Sequence, residues 1–310
     1  MRTVVLLASV GWGVLAPSAW ADSVPQSVAA PSAVAQSPAP YSDSVFRYDL
    51  RVDVPIAAVG LAAWVTTEAL KSQIGPTVCR VCDRAGDGTD TLNGLDAGVR
   101  RLLVSGNTGV PDQISNVTAF GMMPVLMVGL GVLSNYSQGS PKQGLVDLLM
   151  VAEATVLAVD VNQLVKFAVG RERPFVHVLP ESEKSLVKNA TDNNLSFYSG
   201  HTALSFALAT ATGTVASLRG YRLAGLIWAI GIPLATLSGI LRISADRHYF
   251  TDVMTGAVLG SAMGFLGPWL HKKQKPHAMM SIHPMITTSR QGSALTQGGV
   301  MAGLLWSGSL

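Results

Sequence analysis

Six apolar stretches dominate the chain, and each is long enough to form a helix with a mostly apolar circumference. They cover roughly residues 54–70, 117–133, 148–169, 202–218, 223–241 and 253–270. Their glycine and alanine content suits close helix–helix packing. Charged residues make up 13% of the chain, against a usual share of about 25%. This combination predicts an all-α protein, a bundle of about six apolar helices embedded in a membrane; a soluble periplasmic helix bundle is the alternative. The net charge of +3 is small and the basic residues form no long run. A nucleic-acid partner is therefore not expected, since it would call for a concentrated basic face.

The two ends read differently from the middle. Residues 1–21 have the form of a secretory signal: Arg2, an apolar core over residues 4–15, and Ala19-Trp20-Ala21 before a mature start at Asp22. Residues 22–44, rich in Ser, Pro and Ala, read as a flexible leader. Residues 45–135 hold the N-terminal helices, and 271–310 a tail whose weak alternation around Ile286 and Met301 suggests a short β-hairpin. Export implies the bacterial cell envelope. There Cys79 and Cys82, the chain's two cysteines, read as a local disulfide, since zinc needs about four ligands. The nearby Asp83, Asp87, Asp90 and Asp96 fail the spacing of a calcium loop and read as a solvated acidic loop.

Topology carries an internal conflict. Short basic flanks at Arg219 with Arg222, and at Lys272, Lys273 and Lys275, face the cytoplasm by the positive-inside rule. The 170–200 loop and the 242–252 run then share the periplasmic side of an inner membrane. A cleaved signal followed by six spans puts that loop inside; five spans put it outside. Either residues 54–70 do not cross, or the signal reading fails, or the bundle is soluble.

Three polar runs interrupt the apolar pattern. In the first, Lys166 and Arg173 stand seven apart, two helical turns, which places them on one helix face before the stop favoured by Pro174. Two cations aimed one way call for an anion. The second run is Ser196-Phe-Tyr-Ser-Gly-His201. Ser199 is a plausible N-cap, Gly200 permits close backbone approach, and the N–H groups of a helix start cradle phosphate oxygens. His201 sits at the mouth of that site as a proton donor. The third run supplies Arg242 for an anion and pairs His248 with Asp252, four apart on one helix face, as an oriented nucleophile. Glu172 reads as a surface residue, and Asp246 and Arg247 receive no role.

Read together, Lys-x6-Arg-Pro, Ser-Gly-His and Arg-x5-His-x3-Asp resemble the type 2 phosphatidic acid phosphatase (PAP2) superfamily, which also contains bacterial acid phosphatases and vanadium haloperoxidases. The resemblance covers about residues 145–270. Two positions depart from the family pattern: Tyr198 stands where Pro is common, and Leu241 where Ser is common. The resemblance implies that Lys166, Arg173 and Arg242 bind phosphoryl oxygens, helped by Ser199 and the Gly200 N–H. It implies that His248 attacks phosphorus, that Asp252 fixes its tautomer, and that His201 protonates the leaving alcohol. Three fixed cations can do what metal ions do at other phosphoryl-transfer sites, so no metal and no cofactor is expected. The expected substrates are phosphate monoesters or pyrophosphates, carried by lipids in a membrane setting and by small molecules in a soluble one. The same pocket holding vanadate would make a haloperoxidase. A protein that only binds anionic head groups would need the cations but not an oriented nucleophile.

Overall fold

The longest helix carries its start and stop signals in its own local sequence. The computed structural model describes residues 45–184, 186–187 and 189–273, and the backbone of 284–286 and 302–304. The expected signal at 1–21 and leader at 22–44 lie outside the described residues. In order, the helices are α1 (Leu50–Ala69), α2 (Lys71–Ile74), α3 (Gly94–Leu103), α4 (Gly109–Val117), a π-helical turn (Thr118–Met122), α5 (Met123–Gln138), α6 (Pro141–Val169), α7 (Pro174–His177), α8 (Glu181–Lys184), a 3-10 turn (Asp192–Asn194), α9 (Gly200–Arg219), α10 (Ala224–Ser244) and α11 (Phe250–Leu270). The tail contributes one antiparallel strand pair, β1 (Pro284–Ile286) with β2 (Ala302–Leu304). The longest helix, α6, begins with a capping box between Ser140 and Gln143 and has Pro141 in its first turn. It ends where Gly170 turns left-handed at φ 58°. Both signals follow from local chemistry: the box satisfies first-turn N–H groups, and glycine tolerates positive φ without a Cβ clash.

Long helical units run alternately between two ends of the bundle. Phe46, just ahead of α1, bridges to Lys272 after α11, so the start of α1 lies beside the end of α11. At its other end Glu68 accepts a hydrogen bond from Gln163 near the end of α6. Residues 54–70 thus run the length of the bundle beside α6, as a crossing segment would. Among the described residues, four units are long and apolar enough to cross a membrane: Leu50–Ala69, Gly109–Gln138, Ala224–Ser244 and Phe250–Leu270. Apolar side chains such as Val59, Val65, Val125, Val258 and Phe265 face outward. Meanwhile Asp147, Asn162, Thr202 and Ser238 are buried. An apolar exterior around a partly polar interior is the pattern expected of helices packed in lipid.

α9 is the central helix, and α11 meets it at backbone distance. A Cβ added at Gly256 would lie 2.7 Å from the Ser199 carbonyl oxygen. Gly260 and Gly264 face the carbonyl oxygens of Ala203 and Ala207 in the same way. Three glycines at four-residue spacing make the flat stripe that lets two helix backbones touch.

At the end away from this contact's start, a polar knot closes the bundle. Arg219 donates to Asp147 Oδ1 from Nε at 2.8 Å, and the Tyr221 hydroxyl donates to Asp147 Oδ2 at 2.8 Å. Asn135 in turn donates to the Tyr221 oxygen at 3.0 Å, and the Arg219 guanidinium lies over the Phe46 ring. Arg219 was expected to serve as an exposed basic flank; it is buried instead, because Asp147 on α6 neutralises it there.

The expected solvated acidic loop is also corrected. Asp96 is fully buried and Asp83 partly so, because both bond the guanidinium of Arg171. Asp87 matches the solvated reading, being exposed in its turn. The Cys79 and Cys82 sulfurs are joined as a disulfide. The loop they close docks onto the chain after α6: Arg80 N–H donates to the Gly170 carbonyl at 2.9 Å and Glu172 N–H to the Val81 carbonyl at 3.0 Å.

Removing one partner of the polar knot leaves a buried charge uncompensated. Asp147→Ala should destabilise the detergent-solubilised protein by about 3–5 kcal/mol in denaturant unfolding. Replacing Arg219 by Met in the same protein should recover most of that loss.

Candidate active site

Four helix ends converge on one cavity of about 790 Å3. Lys166 comes from the last turn of α6, Gly200 and His201 from the first turn of α9, Arg242 from the last turn of α10, and His248 from the turn before α11; Arg173 joins them after α6 has ended. All six line the cavity.

Lys166 and Arg173 do not share a helix face as expected. The left-handed turn at Gly170 ends α6 between them, and Arg173 stands in extended backbone as the N-cap of α7. Their side chains meet at the cavity because the chain doubles back. Pro174 opens α7 rather than stopping α6, in keeping with proline's preference for a first helical position.

His248 and Asp252 also depart from the expected geometry. His248 precedes α11 and Asp252 lies in its first turn. The carboxylate Oδ2 is 3.8 Å from His248 Nδ1, beyond hydrogen-bonding distance. The partner of Nδ1 is the Ser196 carbonyl, at 2.7 Å. A carbonyl only accepts, so Nδ1 carries the hydrogen and the Nε2 lone pair faces Arg173 Nη1 at 3.3 Å. Asp252 acts one step removed. It accepts from the Ser196 hydroxyl at 2.6 Å and the Tyr249 N–H at 3.0 Å on Oδ2, and from Arg171 Nη1 at 2.8 Å on Oδ1. It thereby anchors the residue whose carbonyl holds the imidazole. Burial, then the nearby cations Arg173, Arg242 and Lys166, push the His248 pKa well below the ordinary histidine value, so the ring is neutral and Nε2 stays available.

Ser199 occupies the N-cap position of α9, yet its side chain caps nothing. It is fully buried, accepts from the Thr202 hydroxyl at 2.9 Å, and does not line the cavity. Its N–H donates to the Asp252 carbonyl at 3.0 Å. The backbone of Ser199 thus joins α9 to α11, while its hydroxyl lies behind the cavity lining. Gly200 does reach the site. A Cβ there would lie 2.8 Å from Asn162 Oδ1 and 3.0 Å from Lys166 Nζ, so only glycine lets the ammonium sit against the start of α9.

Carboxylates hold the arginines in place. Arg173 donates to the Asp192 carbonyl from Nε at 2.7 Å and to its carboxylate from Nη2 at 3.2 Å. Arg173 in turn holds the Asp192 carboxyl well below the usual carboxylate range. Asp112 takes Arg242 Nη1 at 2.6 Å and Arg247 Nη2 at 3.0 Å. Arg242 Nε is buried without an acceptor among the described residues. An anion in the cavity would supply one.

Several of these partners were not foreseen. Arg171 stood inside the first polar run without a role; it is buried and bonds Asp83, Asp96 and Asp252 at once. Glu172, expected at the surface, is buried with Lys184 at 2.8 Å and His177 at 3.4 Å. Asp246 is buried against Arg100, and Arg247 reaches the cavity rim. Asp112, Asn116 and Asp192 lie outside every motif, and nothing in their local sequence marks them.

Comparison with known proteins adds the following. Residues 147–276 match the PAP2 superfamily. A Lipid A 1-phosphatase from Porphyromonas gingivalis is 30% identical over 178 residues, which cover 57% of this chain and 35% of that protein. The match thus spans about a third of that relative's length. Among solved structures, a transmembrane PAP2 type phosphatidylglycerolphosphate phosphatase from Bacillus subtilis aligns with TM-score 0.42 and 20% identity, over 70% of this chain and 94% of the other.

Because a methyl at position 200 would displace Lys166, Gly200→Ala should weaken binding of inorganic phosphate by about tenfold, equivalent to ~1.4 kcal/mol. Isothermal titration of the detergent-solubilised protein measures this directly.

Proposed function

We propose, starting from a chain whose residues 147–276 match the PAP2 superfamily, that the protein is a phosphatase of phosphate monoesters or pyrophosphates carried by lipids. The observation that carries this reading is the pairing of a neutral, oriented imidazole with three cations around one cavity. Cations alone would serve binding; an imidazole with Nδ1–H fixed by Ser196 and Nε2 open serves attack. The lipid setting is supported by the four helices able to cross a membrane and by the similarity to a protein named for dephosphorylating lipid A.

In this mechanism the substrate phosphoryl group lies between Lys166, Arg173 and Arg242, which stabilise its charge as the transition state spreads it over the equatorial oxygens. The Nε2 lone pair of His248 forms a bond to phosphorus as the bond to the leaving oxygen breaks. His201, entering the step as the imidazolium once the substrate's negative charge lies beside it, gives one proton to that oxygen and is left neutral. His201 then takes a proton from water, the resulting hydroxide attacks phosphorus, and the N–P bond breaks to return neutral His248 and free phosphate. Asp252 stabilises the phosphorylated ring through Ser196 and the Tyr249 N–H rather than by direct contact. No step is assigned to a metal.

The same reading gives an orientation. The disulfide lies at the site end of the bundle, and disulfides persist in oxidising compartments. Lys272 and Lys273 lie at the opposite end with residues 45–47, where basic residues face the cytoplasm. The site then opens to the periplasm.

Two measurements check these statements. His248→Ala should fold normally and lose phosphate release from a panel of lipid and soluble phosphates by at least about a hundredfold; near-normal turnover would remove the assignment. Glu181 is 85% exposed on the site-end loop. In a Cys79→Ser, Cys82→Ser background, Glu181→Cys should react with a membrane-impermeant thiol reagent added to the periplasmic side of intact cells.

A further inference from the structure

The proton donor of the site is gripped by a helix that lies outside the span matched to the family. α4 and the π-helical turn after it present Asp112, Ser115, Asn116 and Phe120 at spacings of three and four residues, one face of one helix. Asp112 and Ser115 hold Arg242, with Ser115 Oγ 3.0 Å from Nη1. Asn116 Oδ1 lies 2.6 Å from His201 Nε2, and the Phe120 ring packs edge-on against the His201 ring with centroids 4.8 Å apart. Phe120 sits within the five-residue π turn Thr118–Met122. Such turns shift the helix face by part of a residue and recur at functional sites.

We propose that Asn116 is the positioning residue for His201. Its amide oxygen accepts the Nε2–H, so the imidazolium gives its Nδ1–H to the leaving oxygen, and the neutral Nε2–H tautomer that remains offers the Nδ1 lone pair to take a proton from water. Phe120 keeps the ring from swinging away from the amide. The pair does for the proton donor what Ser196 does for His248, except that the holder is a side-chain amide on a helix rather than a backbone carbonyl in the loop before α9. This inference rests on the phosphatase reading above, and it makes the proton-transfer step depend on a residue that touches no phosphate.

The dependence separates by leaving group. An alcohol leaves poorly without a proton, whereas a nitrophenolate leaves well without one, so loss of proton-donor alignment is felt by the first and not by the second. The experiment compares kcat/KM for phosphatidate in detergent micelles and for p-nitrophenyl phosphate in wild-type, Asn116→Ala and His201→Ala proteins. Asn116→Ala should lose about tenfold or more on phosphatidate and less than about twofold on the aryl ester, following His201→Ala in direction. Equal losses on both substrates, or none on phosphatidate, would overturn the inference and leave the phosphatase reading standing. Failure of the wild-type protein to turn over either substrate would remove both. Asn116→Asp, nearly isosteric, guards against misfolding of the alanine variant. A carboxylate beside Nε2 favours the protonated ring, so the basic limb of kcat/KM should move to higher pH; an unmoved limb would also count against Asn116 as the holder of His201.

Discussion

Three positive charges gathered at one cavity are the constraint around which the site is built. Lys166, Arg173 and Arg242 face one cavity, and their mutual repulsion acts in a buried place where water screens it weakly. Carboxylates behind the two arginines offset that repulsion and leave the front of the cluster to the ligand. Asp192 does so for Arg173 and Asp112 for Arg242. Arg242 still has one buried N–H with no acceptor among the described residues, which an anion in the cavity would supply.

A second layer of charge supports the first from behind. Arg171, next but one to Arg173, gathers Asp83, Asp96 and Asp252 around one guanidinium and lies over the Tyr249 ring. Through it the disulfide loop, α3 and the first turn of α11 are tied to the strand that carries Arg173. A guanidinium suits this place because its donors fan out in one plane and can serve three acceptors at once, which an ammonium cannot do in fixed directions. The Cys79–Cys82 loop, which has no chemistry of its own, thus braces the site.

The apolar pattern made the helices legible, and residues 54–70 turned out to run the full bundle beside α6. Spacing brought out the cavity-lining cations and both histidines, because residues with no place in an apolar helix stand out at helix ends. Spacing misled where it assumed an unbroken helix. Lys166 and Arg173 were placed on one face although Gly170 breaks the helix between them, and His248 was paired directly with Asp252 although its real partner is a backbone carbonyl 52 residues away. The residues missed altogether, Asp112, Asn116 and Asp192, act across long separations. Asn116 and His201 are 85 positions apart, and no local period records such a meeting. Glu172 and Asp96 were assigned to solvent because charge usually lies there; their buried partners reverse that preference.

The glycine stripe of α11 divides the pocket into a fixed half and an adjustable one. With Gly256, Gly260 and Gly264 laid against the α9 backbone, and the Ser199 N–H bonded to the Asp252 carbonyl, α11 can neither slide nor rotate on α9 without steric collision. His248, Asp252, Gly200 and His201 therefore form a single rigid piece. The opposite wall, made by Trp64 and Glu68 of α1, Lys71, Ser72 and Thr77 after it, and residues 189–192, is attached to that piece through side chains and loops. In a scaffold arranged in this way, substitutions at Trp64, Ser72 or Thr77 would reshape the cavity while leaving His248, His201 and Gly200 in register.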